Sequence, residues 1–303
     1  MKTILVTGAT RGLGLAFAEA LSKLDDVELI LGVRDLEAGR RVASDLRGRV
    51  QVAKLDMASR TSISRFVSTW DRPLYGLINN AGLQNVGDTS FSKDGDELTL
   101  AVNHLGPYLL IRGLLPYMQG GCVLGVGSGT HNPEDKDAAR FGFRGGRFSS
   151  IAALAQGETD AQTQRQAGFD RYATSKLLAM AVVPEMARCV PATRFVTLDP
   201  GLMPGTGLVR SAPAVVRFVW RAVLPLLVPL MSGASTPQAS AAAGLTLLLD
   251  PELGQSGGTY HYDAKPSAGV WSKVNDPEFG RIVLEQTDAH LGLDPVGGLR
   301  RAS

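Results

Sequence analysis

Short runs of β-branched and aliphatic residues alternate with longer helical patterns along most of the chain. Runs such as "TILVTG" (3–8), "VELILGV" (27–33) and "VQVAKLD" (50–56) predict buried strands. Further strands are expected at 74–82, 122–128, 193–201 and 257–263, and helices at 13–24, 35–48, 59–70, 95–118, 170–188 and 235–249. This alternation predicts βαβ units, and therefore an α/β fold with a doubly wound parallel sheet. No repeat or linker divides the 303 residues, so one domain, 1–303, is expected.

Composition and charge argue against several classes of protein. The net charge of +2 gives no basic footprint for nucleic acid. Two cysteines, Cys122 and Cys189, cannot form a disulfide framework and fit a reducing compartment. The amino-terminal apolar run is too short for a signal peptide, and the longest apolar run, 222–231, contains two prolines. A membrane-spanning helix needs ~20 apolar residues. The sequence therefore predicts a cytoplasmic protein without a transmembrane segment.

The loop after the first predicted strand has the pattern of a phosphate-binding turn. In "TGATRGLG", Gly8 permits a tight turn, Gly12 lets the backbone approach a pyrophosphate, and Gly14 allows close packing of helix and strand. The helix that follows presents free amide groups and the positive end of its dipole. A glycine-rich turn without a ligand is the alternative. The motif lies between a predicted strand and a predicted helix, and this position favours a dinucleotide-binding site over the alternative.

Several motifs occur in the order found in the short-chain dehydrogenase/reductase family, which this sequence resembles. They are "TGATRGLG", "NNAG" (79–82), Ser128 at the end of the fifth strand, "YATSK" (172–176) and "DPG" (199–201). The stretches "GVRD", "VNHLGPYLL" and "GSGTH" are similar to the branch of carbonyl reductases, retinol-dehydrogenase-like enzymes and protochlorophyllide reductases. The resemblance covers Thr7 to about Thr206. It implies a Rossmann fold and an NAD(P)-dependent oxidoreductase that interconverts a ketone or aldehyde and an alcohol.

The resemblance implies four catalytic residues: Asn103, Ser128, Tyr172 and Lys176. Tyr172 would exchange a proton with the substrate oxygen, and Lys176, one helical turn away, would supply a charge that favours the phenolate. Ser128 would hydrogen-bond the carbonyl oxygen, and Asn103 would hold a water for the proton relay. Without the other motifs, Tyr172 and Lys176 would be read as a surface pair that stabilises a helix.

The resemblance also implies where a nicotinamide cofactor binds. NADP(H) is favoured over NAD(H), because Arg34 stands where NAD-preferring enzymes place a carboxylate and Arg11 is directed at the same region. The alternative is a solvated Arg34 beside an Asp35 that caps a helix. Asp56 would bond the adenine amino group, and Thr206, one residue late, would contact the carboxamide. The expected cofactor-binding residues are Gly8, Thr10, Arg11, Gly12, Leu13, Gly14, Arg34, Asp56, Met57, Asn80, Ala81, Gly82, Tyr172, Lys176, Pro200, Gly201 and Thr206. No metal ligand is assigned.

Two segments depart from the family pattern or add to it. Ser128 and Tyr172 lie much farther apart than in the family, which makes 131–170 an insertion before the catalytic helix. It is either a surface loop or a wall beside the catalytic groups, and the second is favoured; His131 is expected to be a loop residue rather than a catalyst. The family places a substrate lid at about 207–232. Its apolar residues favour a bulky hydrophobic or aromatic substrate over a membrane-contacting patch or an oligomer contact.

Two other classes of function are compatible with the fold. A nucleotide-sensing regulator or a scaffold would use the same sheet without turnover, but neither needs the serine, tyrosine and lysine in register. Relatives often dimerise through the helices that correspond to 95–118 and 170–188, so a homodimer is compatible with the sequence.

Overall fold

A seven-stranded parallel sheet organises the chain in the computed structural model, which describes residues 1–203 and 233–296. The strands are β1 (Lys2–Thr7), β2 (Val27–Val33), β3 (Arg49–Lys54), β4 (Gly76–Asn79), β5 (Cys122–Val126), β6 (Arg194–Asp199) and β7 (Thr259–His261). Their order is β3-β2-β1-β4-β5-β6-β7, so the direction of winding reverses between β1 and β4. This confirms the predicted doubly wound fold. That domain 1–303 is single stays a prediction.

Helices cover both faces of the sheet. They are α1 (Gly12–Leu21), α2 (Leu36–Asp45), α3 (Arg60–Ser68), α4 (Leu98–Leu100), α5 (Gly106–Leu114), α6 (Lys136–Arg140), α7 (Ile151–Ala155), α8 (Gln164–Cys189), α9 (Pro237–Leu249) and α10 (Pro277–Leu291). One hydrophobic core joins the sheet to α3, α5, α7, α8 and α10, and a second joins the opposite face to α1, α2 and α9. Because both faces are covered, β2 is buried along its whole length.

The predicted helix at 95–118 is not continuous. A π-helical turn, Ala101–Leu105, separates α4 from α5, and a 3-10 turn, Leu115–Tyr117, follows. Pro107 explains part of the change, because it has no amide hydrogen for the carbonyl four residues earlier. Gly106 permits a close approach here: a Cβ atom would lie 2.2 Å from the carbonyl oxygen of Met57.

Helix α10 was not predicted, although its ends carry clear signals. Asp276 accepts hydrogen bonds from the amides of Glu278 and Phe279, Pro277 stands in the first turn, and Gly292 ends the helix in the left-handed conformation. No helix in the described ranges is both long and apolar enough to cross a bilayer. Thr206 and the predicted lid at about 207–232 lie outside the described residues.

Candidate active site

The strand register brings most of the predicted site residues to one edge of the sheet. Thr7 pairs with Gly32, Asn79 with Gly125 and Val126 with Leu198, so these parallel strands end at similar levels. The loops that follow β1, β4, β5 and β6 therefore share the carboxyl edge. Ligands of doubly wound sheets bind at this edge, next to the point where the winding reverses.

The glycine turn is shaped for an anion. Gly8 and Gly12 have φ values of +67° and +56°, which favour glycine. A Cβ atom on Gly14 would lie 2.4 Å from both the Gly8 carbonyl oxygen and the Asn80 amide nitrogen. The side chain of Arg11, the N-cap of α1, makes no capping hydrogen bond. The first-turn amides thus lack a capping side chain, which fits a bound pyrophosphate. Thr10 and Leu13 belong to the same turn.

Thr7 ties the glycine turn to the loop after β4. Its hydroxyl donates to the Ile78 carbonyl (3.3 Å) and accepts from the amides of Asn80 (3.1 Å) and Ala81 (3.0 Å). The Asn80 side chain donates back to the carbonyls of Thr7 (2.9 Å) and Gly8 (3.3 Å). The predicted Asn80–Gly82 wall is thus fixed to the predicted phosphate turn. Thr7 has no predicted role in the sequence; the only signal for one is its place at the end of β1.

Three cations follow three adjacent strands. Arg11 and Arg34 are exposed at the ends of β1 and β2, and Lys54 ends β3 with its Nζ 2.5 Å from the Arg34 carbonyl oxygen. The Asp35 carboxylate caps α2 by accepting from the amides of Glu37 (3.0 Å) and Ala38 (3.1 Å). The Ala38 amide is the largest cause that lowers the pKa of Asp35. This carboxylate serves the helix, which leaves a positively charged corner for a phosphate.

Asp56 and Met57 follow β3 and differ in exposure. Asp56 is half-buried, and its Oδ1 accepts from the Ala58 amide at 3.0 Å. Met57 is 6% exposed and packs in the hydrophobic core. Of the two predicted adenine contacts, the Asp56 side chain is therefore the more accessible.

Asn103 joins two walls of the site. Its Oδ1 accepts from the Leu83 amide (2.9 Å), and its Nδ2 donates to the Leu83 carbonyl (2.9 Å) and to Ser175 Oγ (2.9 Å). Ser175 Oγ in turn donates to the Tyr172 carbonyl at 2.7 Å. The Asn103 side chain therefore positions the loop after β4 against α8. Because Pro107 cannot donate to the Asn103 carbonyl, that backbone oxygen is the group suited to the predicted water.

Ser128 and Tyr172 meet despite the insertion between them. Ser128 Oγ accepts from Thr130 Oγ1 at 3.0 Å, and its hydrogen bond with Tyr172 lowers the pKa of the phenol. Burial outweighs this effect and raises the pKa of Tyr172 to about 12, with a further rise from the charge of Asp199. The phenol therefore holds its proton at neutral pH. Thr130 was not predicted, although a hydroxyl two residues after Ser128 is visible in "GSGTH".

Lys176 is buried beside this phenol. Its Nζ donates to the Val126 carbonyl at 2.8 Å and lies 5.8 Å from the centre of the Tyr172 ring. Burial lowers the pKa of Lys176 to about 8, while the charge of Asp199 opposes that shift. The sequence led us to expect that the ammonium would favour the phenolate. The structure differs, because burial disfavours the charged form of each group and is the largest influence on both pKa values.

Asp199 is a buried carboxylate whose charge acts on the catalytic groups. It ends β6, is 6% exposed, and its Oδ1 accepts from the Gly201 amide at 3.0 Å. Its charge raises the pKa of Tyr172, Lys176 and His131. Asp199 therefore favours a protonated site. It was visible in the "DPG" motif, but spacing alone assigned it no role.

Backbone hydrogen bonds join the loop after β6 to the residues that precede α9. The Leu202 amide donates to the Gly233 carbonyl (2.9 Å), and the Ser235 amide donates to the Leu202 carbonyl (2.9 Å). Pro200 is held by the hydroxyls of Ser235 and Ser240, which both donate to its carbonyl. The residues on either side of 204–232 thus meet at the carboxyl edge of the sheet, next to Pro200 and Gly201.

The insertion 131–170 packs against the catalytic tyrosine. The Phe143 ring lies 4.8 Å from the Phe169 ring and 6.0 Å from the Tyr172 ring, measured between centroids. Arg144 bonds Asp170 through both Nε (3.0 Å) and Nη2 (2.6 Å), next to Arg171 and Tyr172 on α8. This part of the insertion is therefore a wall beside the phenol. The sequence favoured a wall beside the catalytic groups, but it did not identify the aromatic residues that form it.

Comparisons with known proteins agree with this geometry. A family model described as short chain dehydrogenase matches residues 2–134. Protochlorophyllide reductase B, chloroplastic, from Oryza sativa subsp. japonica is 28% identical over 323 residues, which cover 96% of this chain and 77% of that protein. A solved structure of an uncharacterized protein from Mycobacterium Paratuberculosis has a TM-score of 0.69 at 21% identity, covering 97% of this chain and 94% of the other. NADPH-bound carbonyl reductase from chicken fatty liver has a TM-score of 0.61 at 18% identity, with 88% and 99% covered.

Burial of the Lys176 charge predicts a change in stability with pH. Replacement by Met (Lys176→Met) should stabilise the apoprotein by about 1–3 kcal/mol at pH 7, because it removes a charged group that folding buries. Below pH 8 both the folded and the unfolded chain hold the Lys176 proton, so the full cost is present. From pH 8 to 10.5 the folded chain loses its proton first, and the difference from Lys176→Met should shrink. Urea unfolding at several pH values measures this difference in the free energy of unfolding between the variant and the wild type.

The matched control is Lys23→Met, since Lys23 is exposed. Its urea midpoint should equal that of the wild type at every pH. A Lys176→Met protein that is less stable at pH 7, or whose difference does not vary with pH, would contradict the account.

Proposed function

We propose that this chain is a member of the short-chain dehydrogenase/reductase family of NAD(P)-dependent oxidoreductases and that it interconverts a bulky hydrophobic or aromatic carbonyl compound and its alcohol with NADP(H). The observation that carries the proposal is the contact of Ser128, Tyr172 and Lys176 at the carboxyl edge of the sheet. In the cytoplasm, where we place the enzyme, its unpaired Cys122 and Cys189 would stay reduced.

Proton transfer is assigned to Tyr172. A phenol with a pKa of about 12 is protonated at neutral pH, which is the form that donates to a carbonyl oxygen. Ser128 Oγ is the second donor to that oxygen, so the charge that develops there meets two hydroxyl groups. When bound, the nicotinamide supplies or accepts the hydride at the carbon. In the reverse direction Tyr172 accepts the proton of the alcohol.

Cofactor binding is assigned to the glycine turn and to the cations at the neighbouring strand ends. The turn fits a pyrophosphate because no side chain caps its first-turn amides and because of its glycine backbone. Arg34 and Arg11, with Lys54 nearby, suit a 2′-phosphate, and Asp35 is engaged in capping α2. A carbonyl reductase with NADPH bound is among the similar structures, which is compatible with this choice.

The substrate class rests on the aromatic wall. Phe143 lies beside the Tyr172 ring and Phe169 lies beside Phe143; Phe169, three residues before Tyr172 on α8, is partly exposed. Aromatic rings of this kind suit a flat or bulky apolar partner. The described residues on either side of 204–232, Leu202 and Gly233, also meet at this edge, which is where a lid over the substrate would be attached.

A regulator or scaffold on the same fold is the alternative function. The buried charge of Lys176 weighs against it, because a protein without turnover gains nothing from a site that is costly to fold. The proposed activity is compatible with a homodimer and with contact at a membrane surface, which both stay predictions.

Replacing the phenol tests the reaction. Tyr172→Phe should lower kcat at least about 100-fold, because the proton donor is lost, while the affinity for NADPH stays nearly unchanged. Steady-state assays across a panel of ketones and alcohols, with NADPH titrated by fluorescence, measure both quantities. Tyr117→Phe, at the opposite edge of the sheet, is the control. Substantial turnover by Tyr172→Phe would refute the assignment.

Removing Arg34 tests the cofactor choice. Arg34→Ala should raise the KM for NADPH about 10- to 150-fold and leave the KM for NADH nearly unchanged, because a charge-assisted contact is lost only with the 2′-phosphate. Arg40→Ala is the control, since Arg40 is exposed on α2, the helix that follows Arg34, and pairs with Glu37. Equal losses with the two cofactors would exclude the proposed role of Arg34.

Truncating Phe169 tests the substrate class. Phe169→Ala should lower kcat/KM for a large aromatic ketone about tenfold, through the loss of one aromatic contact, and for a small aliphatic ketone less than about twofold. Phe141→Ala, in the same insertion but 47% exposed, should change neither value. Equal changes for the two ketones would remove the support for a bulky substrate.

A further inference from the structure

His131 is a buried titratable residue that the proposed reaction does not use. It is 1% exposed and belongs to a short 3-10 turn, Gly129–His131, for which Ser128 is the N-cap. Its Nδ1 lies 2.7 Å from the Ser128 carbonyl oxygen, and its Nε2 lies 3.1 Å from the backbone amide nitrogen of Trp271. Both ring nitrogens are therefore engaged, one with the catalytic loop and one with a segment 140 residues away in sequence.

The two partners determine the protonation state of the ring. A backbone amide can only donate, so Nε2 must accept; a carbonyl can only accept, so Nδ1 must carry the proton. Only the neutral Nδ1–H tautomer makes both bonds. Burial lowers the pKa of His131, which favours the neutral ring, and the charges of Asp199 and Asp135 oppose this in part. With no free nitrogen, the ring is not placed to exchange protons with a substrate.

Three parts of the chain meet at this histidine. The Gly146 amide, from the insertion, donates to the His131 carbonyl at 2.9 Å. Asn132 Nδ2, next along the chain, donates to the Gly269 carbonyl at 3.0 Å, two residues before Trp271. The 3-10 turn Ser272–Asn275 then leads into α10, which packs on α8, the helix that carries Tyr172. Residues 269–275 thus form a strap across the loop that holds Ser128.

We propose that His131 is a positioning residue for Ser128: its neutral ring links the Ser128 carbonyl to the Trp271 amide, so that the strap 269–275 holds the serine hydroxyl against Tyr172. The inference rests on the proposed role of Ser128 and adds to it the residue that fixes its geometry. The backbone of Ser128 has an extended conformation (φ −172°) at a strand end, where the sheet no longer restrains it. A shift of about 1 Å in a donor is enough to lower a rate by a large factor.

Three substitutions separate the two bonds. An Asn side chain at 131 puts its amide group near the place of Nδ1 and keeps the bond to Ser128, whereas Gln reaches the place of Nε2 and keeps the bond to Trp271. His131→Ala loses both and should lower kcat roughly 10- to 100-fold with little change in the KM for NADPH. His131→Asn, which keeps the bond to Ser128 but loses the tie to the strap, should recover only part of kcat. Asn132→Ala, which cuts the neighbouring tie but not the bond to Ser128, should change kcat less than about twofold.

A readout without turnover separates this inference from the proposed function. Amide hydrogen exchange of Trp271, followed by NMR on the apoprotein, should be faster in His131→Ala and His131→Asn than in the wild type, and slow in His131→Gln. This result does not depend on substrate or cofactor. If Trp271 exchanges faster in His131→Ala but the wild type shows no activity, the bond between His131 and Trp271 is supported and the proposed oxidoreductase function is refuted.

A double-mutant cycle tests whether His131 acts through Ser128. In a Ser128→Ala background, His131→Ala should cause no further loss of kcat, because the group it positions is already absent. Additive losses would show a general structural role and overturn the proposal. Wild-type kcat in a folded His131→Ala protein, or unchanged exchange of Trp271, would also overturn it.

Discussion

Removal of the Lys176 ammonium from water is the constraint on which the site depends. The side chain is 8% exposed, and its charge is supported by the Val126 carbonyl and by the Asp199 carboxylate. Such a group stays protonated only where the surrounding backbone is fixed. The same burial keeps the Tyr172 proton in place, so the site combines a protonated phenol with a lysine whose pKa is near 8. One physical effect thus prepares both groups for proton transfer at neutral pH.

The fold supplies that fixed backbone through the carboxyl edge of its parallel sheet. Strand β5 brings the Val126 carbonyl and Ser128, β6 brings Asp199, and α8 carries Tyr172 and Lys176. The cofactor side of the edge is built in the same manner, with Thr7 and Asn80 binding the loops after β1 and β4 to one another. Short polar side chains at strand ends therefore hold the cofactor side of the site together.

The sequence predicted the sheet and the main catalytic residues because both depend on local patterns. Strand β2 has the predicted bounds, because a short, mostly apolar run of this length is typical of a buried strand. The prediction of one continuous helix at 95–118 was wrong. The helix is interrupted at Gly106 and Pro107, where the backbone of Met57 approaches closely, and this long-range contact is not visible in the sequence. The effect of burial on Tyr172 was missed for a similar reason, because it arises from the packing of distant segments.

Contacts across the insertion and the carboxyl-terminal strap could not be read from spacing. Phe143 contacts Tyr172 where Arg144 joins the insertion to Asp170, and His131 reaches Trp271 across most of the second half of the chain. Each depends on where two loops meet in space. The sequence showed that an insertion began beside Ser128 and ended beside Tyr172, which was enough to favour a wall but not to name its residues.

The central claim is that burial keeps the Tyr172 phenol protonated beside a buried lysine. Carbon-13 NMR of tyrosine-labelled apoprotein, with Tyr172→Phe to assign the signal, measures the ionisation of this side chain directly. The Tyr172 signal should still show the protonated phenol at pH 10, the usual pKa of a free tyrosine, and the residue should titrate near pH 12. A Tyr172 that ionises below pH 10 would contradict it and would mean that the ammonium of Lys176, rather than burial, controls the phenol.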